Sequence, residues 1–185
     1  MSPFRRSSRR PRAVPAWVLC WSVLFSSAAT AHDAGLLLQA GFVSKFPGFV
    51  TWPAADMPEE FVPFRFCVFG PSALTAPLRE LLPYTPIGGG LPTLRRIDTA
   101  SEASGCDLLF LPGRRLTGLA PIIRQNIGNR PVLLVSEGEN ALDHGVHIGL
   151  VRVGERLRFD VDRSAFERSG LRVSFRLLEM ARTVR

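Results

Sequence analysis

The chain changes its hydrophobic period several times, and each change marks an element. Leu36, Ala40, Val43 and Phe46 recur at helical spacing, which predicts a helix over residues 34–46. Pro47-Gly48 ends or kinks it, and Phe49, Val50 and Trp52 carry an aromatic segment to Pro53. A polar, proline-punctuated connection runs from there to Pro63. Short apolar runs follow at residues 64–69, 106–111 and 132–135, and a further short strand is expected at residues 94–97. Continuous rather than alternating apolar runs belong to strands buried on both faces. Between them lie a helix from Ser72, which can cap it, through Leu82, and a brief turn near residues 101–104. Another helix leaves Pro112-Gly113-Arg114-Arg115 and runs through about Gln125. Gly88-Gly89-Gly90 lacks the spacing of a nucleotide-binding turn and reads as a connector.

Beyond Ser136-Glu137-Gly138 the pattern changes. Residues 147–153 are largely apolar, Gly154-Glu155 turns the chain, and Leu157, Phe159 and Val161 alternate with Arg156, Arg158 and Asp160. That alternation predicts an antiparallel hairpin with one buried face. Ser164-Ala165-Phe166-Glu167 has the form of a capping box opening a helix, and Ser169-Gly170 interrupts it. A final helix is predicted with Leu171, Phe175, Leu178 and Ala181 on one side and Arg172, Arg176, Glu179 and Arg182 on the other. Together the elements predict a single α/β domain. Its central sheet is mostly parallel and covered by helices, with a C-terminal antiparallel hairpin and helix. If the first and third strands are neighbours, the local order is 2-1-3 and the two cysteines on them lie within bridging range.

Charge changes this picture only after the leader is subtracted. The 185 residues include 23 basic and 16 acidic side chains, a formal net charge of +7, which invites a nucleic-acid partner. Five of the basics, Arg5, Arg6, Arg9, Arg10 and Arg12, precede an apolar stretch at residues 16–26. Ala29-Thr30-Ala31 then supplies the small residues of a cleavage site before His32. Residues 1–31 therefore read as a secretory signal peptide and residues 32–185 as the mature domain. An apolar run of about a dozen residues is too short for a span that needs about 20. With the leader removed, 18 basic residues face 16 acidic ones, and the net charge is +2. The case for nucleic acid goes with it.

The same subtraction leaves two of the three cysteines, Cys67 and Cys106, since Cys20 falls in the leader. Two cysteines in an exported domain suggest one disulfide, with two unpaired core thiols as the alternative. Candidate chemistry is sparse. Asp143-His144-Gly145-Val146-His147 offers two metal ligands, but Gly145 breaks the helix that would align them, and no third ligand has supporting spacing. Ser136 and Ser174 lack a nucleophile-elbow context, and Glu137 and Glu139 are no glycosidase pair on spacing alone. No catalytic constellation emerges, so the chain is expected not to be an enzyme and to need no cofactor or metal. Arg114-Arg115, at the third-strand exit near the switch-point crevice, is a candidate anion site. With His144 and His147 it supports one function, a small-molecule, anion or metal binding accessory or sensor domain.

A second function comes from a resemblance. Several segments in order are similar to the YfiR (HmsC-like) periplasmic proteins. They are Lys45-Phe46-Pro47-Gly48-Phe49-Val50-Thr51-Trp52-Pro53, Phe64-Arg65-Phe66-Cys67-Val68-Phe69-Gly70 and Leu91-Pro92-Thr93-Leu94-Arg95-Arg96-Ile97. Gly105-Cys106-Asp107-Leu108-Leu109-Phe110, Arg130-Pro131-Val132-Leu133-Leu134-Val135-Ser136 and His147-Ile148-Gly149-Leu150 continue it, to the ending Ser169-Gly170-Leu171 and Leu177-Leu178. The resemblance implies a periplasmic regulator that restrains an inner-membrane diguanylate cyclase by binding its periplasmic sensor domain, lowering cyclic di-GMP and biofilm formation. It maps the family's central disulfide onto Cys67 and Cys106. Some members carry a second pair near the hairpin; this chain has none there. The expected partner surface is the C-terminal helix, with Leu171, Phe175, Leu178 and the nearby hairpin, the alternative for those residues being core packing; a homodimer is left open.

Overall fold

The structure, a computed structural model, describes residues 27–53 and 62–185. The chain divides into two units, Met1–Asp33 and Ala34–Arg185, and the fold is that of the second. The expected signal peptide lies outside the described residues except from Ser27 onward, where the first helix, α1 (Ser27–Lys45), begins. Ala40, Val43 and Phe46 are buried as their spacing predicts. Pro47 then sits in the first positions of a 3-10 turn, Phe46–Phe49. There its missing N–H costs nothing, because the first turn has no partner for it.

A seven-stranded sheet forms the centre. Its strands are β2 (Arg65–Phe69), β3 (Thr93–Ile97), β4 (Leu108–Leu111), β5 (Leu133–Glu137), β6 (Ile148–Val153), β7 (Arg156–Val161) and β9 (Thr183–Val184). The order across it is β3-β2-β4-β5-β6-β7-β9. β3, β2, β4, β5 and β6 are parallel neighbours, β7 turns back antiparallel on β6, and β9 lies parallel to β7. The first and third of these strands do pair, giving the 2-1-3 order. A separate two-stranded sheet joins β1 (Val50–Thr51) antiparallel to β8 (Arg172–Val173).

Both faces of β2, β4 and β5 are covered, which is why their sequences run apolar without alternation, whereas β3 at the end of the sheet order leaves Thr93, Arg95 and Arg96 exposed. Phe66, Val68, Leu108, Phe110, Leu133 and Val135 face one core, with Ala40 and Val43 of α1, and Leu78 of α2 (Thr75–Leu81). Phe166 of α4 (Arg163–Ser169) and Leu177 of α5 (Phe175–Met180) join the same core. The alternate residues Cys67, Phe69, Leu109, Leu111 and Leu134 face α3 (Leu116–Ile127) through Leu116, Ala120, Ile123 and Ile127. Each such Leu, Ile or Phe contributes about 1.5–3 kcal/mol on burial. On β7, Phe159 and Val161 are buried, Arg156 and Arg158 on the alternate face are exposed, and Asp160 on that face is buried against Arg182.

Three local expectations are corrected. The Ser164-Ala165-Phe166-Glu167 capping box does not form: Asp162 is the cap, its Oδ1 accepting the Ala165 N–H at 3.0 Å, while Glu167 pairs with Arg163 instead. Asp162 sits two residues earlier and its carboxylate is the stronger acceptor at a helix start. The final helix does not begin at Leu171, because Arg172–Val173 is drawn into β8 by pairing with β1; α5 starts only after Ser174, which caps it. Ser72 bonds the Leu74 N–H at 3.2 Å, one turn ahead of α2, rather than capping the helix itself.

Candidate functional site

Cys67 and Cys106 form a disulfide with their Cα atoms 5.8 Å apart, joining β2 to the segment that enters β4. Both sulfurs are bonded and both residues are buried, so the pair offers a clamp and no free thiol. An ionic tie lies beside it. The buried Asp107 carboxylate accepts from the Arg65 backbone N–H at 2.7 Å, from Arg65 Nε at 3.0 Å and from Nη2 at 2.6 Å. Those side-chain hydrogen bonds raise the Arg65 pKa above its usual value, against the opposing effect of burial. The β2–β4 junction is thus held covalently, ionically and by the ladder.

Among the described residues, hollows lie at both the carboxyl and the amino ends of the central parallel strands. The first, about 380 Å³, lies at the carboxyl ends of β4 and β5 and is lined by Arg114, Glu137, Asn140 and His144, with Leu116 and Ala141 as apolar wall. Gly113 lets the two loops meet there: a Cβ on it would stand 2.2 Å from the Glu137 carbonyl oxygen. The Glu137 carboxylate accepts from Gln39 Nε2 of α1 at 2.7 Å. Arg114 and Arg115 do not act as one cluster. Arg114 lines this hollow, whereas the Arg115 guanidinium lies over Gly70, past the end of β2.

The second hollow, about 300 Å³, lies at the opposite edge, where β5 and β6 begin and α3 and α4 end. Arg124, Arg130 and Arg168 line it, with Gly128, Gly145, His147 and Ser169. His147 is fully enclosed. Its Nδ1 accepts the Leu134 N–H at 2.9 Å and its Nε2 faces Ser169 Oγ at 2.9 Å, so the ring is neutral with its proton on Nε2. Burial, aided by the positive charge of Arg168, pushes its pKa from 6.5 down to about 3. With both nitrogens engaged, His147 is a packing residue, edge-on to Phe166 with ring centroids 4.9 Å apart. His144 belongs to the first hollow and His147 to the second, so the two do not converge. Among the described residues, no group of three His, Cys, Asp or Glu side chains could hold a metal ion.

The C-terminal trio is split by burial. Leu171 is 2% exposed and Leu178 half-buried against the core, while Phe175 is 74% exposed. Phe175 is nevertheless held in place. Ser174 before it donates its N–H to the Phe49 carbonyl at 2.8 Å and caps α5 through the Leu177 N–H. Met180 and Val184 are also open to solvent. Sequence reasoning missed Arg124, Arg130 and Arg168, which come from separate stretches. Arg124 and Arg168 stand in the last turns of α3 and α4, where a cation reads as an ordinary complement to the helix dipole.

A family model described as YfiR/HmsC-like matches residues 37–182. A search of curated proteins returned no match. Among solved structures, a conserved domain protein from Vibrio cholerae is 10% identical with a TM-score of 0.53, over 81% of this chain and 60% of that one. The ABC domain in complex with L-Trp from Streptococcus pneumonia is 8% identical with a TM-score of 0.51, over the same shares of the two chains. The chain therefore spans 60% of the length of each, and at these identities the likeness is one of α/β fold alone.

Proposed function

The chain belongs to the YfiR/HmsC-like family, and from that membership we propose that it is a periplasmic regulatory protein that binds the periplasmic sensor domain of an inner-membrane diguanylate cyclase. Binding restrains the cyclase, lowers cyclic di-GMP and holds back biofilm formation. The observation that carries this reading is the family match over residues 37–182. On this reading the protein acts by contact and not by catalysis. Residues 1–31 direct export and are removed, leaving 32–185 as the working domain. No helix among the described residues is long and apolar enough to cross a membrane.

The contact surface is the exposed edge of α5. Phe175 presents an apolar ring to solvent from a fixed backbone, Leu178 is half-buried against the core, and Leu171 is buried in it. Pull-down of the tagged mature domain from membranes tests the partner. Recovery of a diguanylate cyclase is expected, and its absence from the eluate would count against the reading. A second reading, a small-molecule binding accessory domain, draws on the hollow at Arg114 and Glu137, whose opposite charges suit a ligand with both signs. Melting temperatures across a panel of metabolites test it, and flat melts would remove it.

A further inference from the structure

We propose that the hollow at the amino edge of the sheet binds a small phosphate-class oxyanion through the guanidinium groups of Arg124, Arg130 and Arg168. Three cations line a hollow of about 300 Å³, and no carboxylate lines it with them. All three side chains are exposed, so water screens their mutual repulsion, and a multivalent anion held among them offsets all three charges at once. Among the described residues, Arg124 and Arg130 form no ion pair. Arg168 has Asp162 at 3.8 Å, but that carboxylate also stands 3.8 Å from Arg185 Nε and caps α4 through the Ala165 N–H.

The helix ends account for part of the charge. One cation in the last turn of α3 and one in the last turn of α4 would complement the two dipoles. Arg130 lies beyond α3 and is left over. The placement of Arg124 is also built into the backbone. Gly145 turns there with φ +76°, and a Cβ on it would stand 2.5 Å from Arg124 Nη1, so glycine seats the guanidinium against the chain. The floor contributes no competing charge, because His147 is neutral and both its nitrogens are engaged. Guanidinium forks pair bidentately with phosphate oxygens, and three of them favour a dianion over chloride. The source of the phosphate, free or carried on a larger molecule, is decided by experiment.

Calorimetry and thermal melts of the oxidised mature domain, titrated with inorganic phosphate against sodium chloride of equal ionic strength, test the site. Phosphate is expected to bind and raise the melting temperature where chloride does not. Arg124→Gln and Arg168→Gln are each expected to weaken binding by about tenfold or more, and Gly145→Ala to weaken it by displacing Arg124. Arg79→Gln, exposed on α2 and lining neither hollow, should bind phosphate as the wild type does. Circular dichroism establishes that each variant is folded. Glycerol phosphate and a nucleoside monophosphate form the second arm: tighter binding of either identifies a carried phosphate, and equal or weaker binding identifies the free ion. No phosphate-specific response, or one unchanged in folded Arg124→Gln and Arg168→Gln, overturns the proposal.

Discussion

His147 is the residue on which acid acts. The unfolded histidine takes a proton near pH 6.5, whereas the buried ring resists it until about 3. Its contribution is fully present above pH 6.5 and is lost as pH falls from there towards 3, by up to about 1.4 kcal/mol per pH unit for one proton. Urea midpoints between pH 7 and 5 should therefore fall in the wild type and fall less in His147→Gln, which is already less stable at pH 7. Parallel pH slopes in the two proteins would contradict this. Asp162 is a second point of leverage. It caps α4 and stands near Arg168 and Arg185, so Asp162→Ala is expected to cost about 1–2 kcal/mol in urea unfolding. A change under about 0.5 kcal/mol would mean that Ser164 caps the helix after all.

At the scale of elements, α5 separates packing from recognition. Leu177 is 1% exposed in the core, so Leu177→Ala should cost about 2–5 kcal/mol. Phe175→Ala removes a ring that lies mostly in water and should change stability by no more than about 0.5 kcal/mol. It should nonetheless abolish capture of the cyclase from membranes; undiminished capture would move the contact surface elsewhere. The elements themselves differ in how readable they were. β2, β4 and β5 announced themselves because helices cover both faces, and β7 because its buried apolar residues fall on one face. The start of α5 was hidden, since Val173 pairs with Val50 from the far end of the domain, a contact no local pattern encodes. The arginine-lined hollow was hidden for the same reason. Arg124, Arg130 and Arg168 meet only once α3 and α4 have docked at one edge of the sheet, while the adjacent Arg114-Arg115, conspicuous in sequence, diverge.

The whole molecule is closed by one long tie. The Cys67–Cys106 disulfide spans 39 residues, and in the chain-entropy model a loop of about that length stabilises the fold by roughly 4 kcal/mol, a large share of the 5–15 kcal/mol typical of a domain. Intact-mass analysis of exported protein should find no alkylatable thiol before reduction, and reduction should lower the urea midpoint substantially. Two alkylatable thiols in unreduced protein would remove the clamp from the account. The tie fits a protein that works in an oxidising compartment. Whether the protein restrains a cyclase is decided most directly in the cell, by measuring cyclic di-GMP after deletion of the gene and complementation. The level is predicted to rise on deletion, to return with the full-length chain, and to stay high with residues 32–185 expressed without a leader. A level that does not change on deletion, or one restored equally by the leaderless domain, would contradict the regulatory role proposed for this protein.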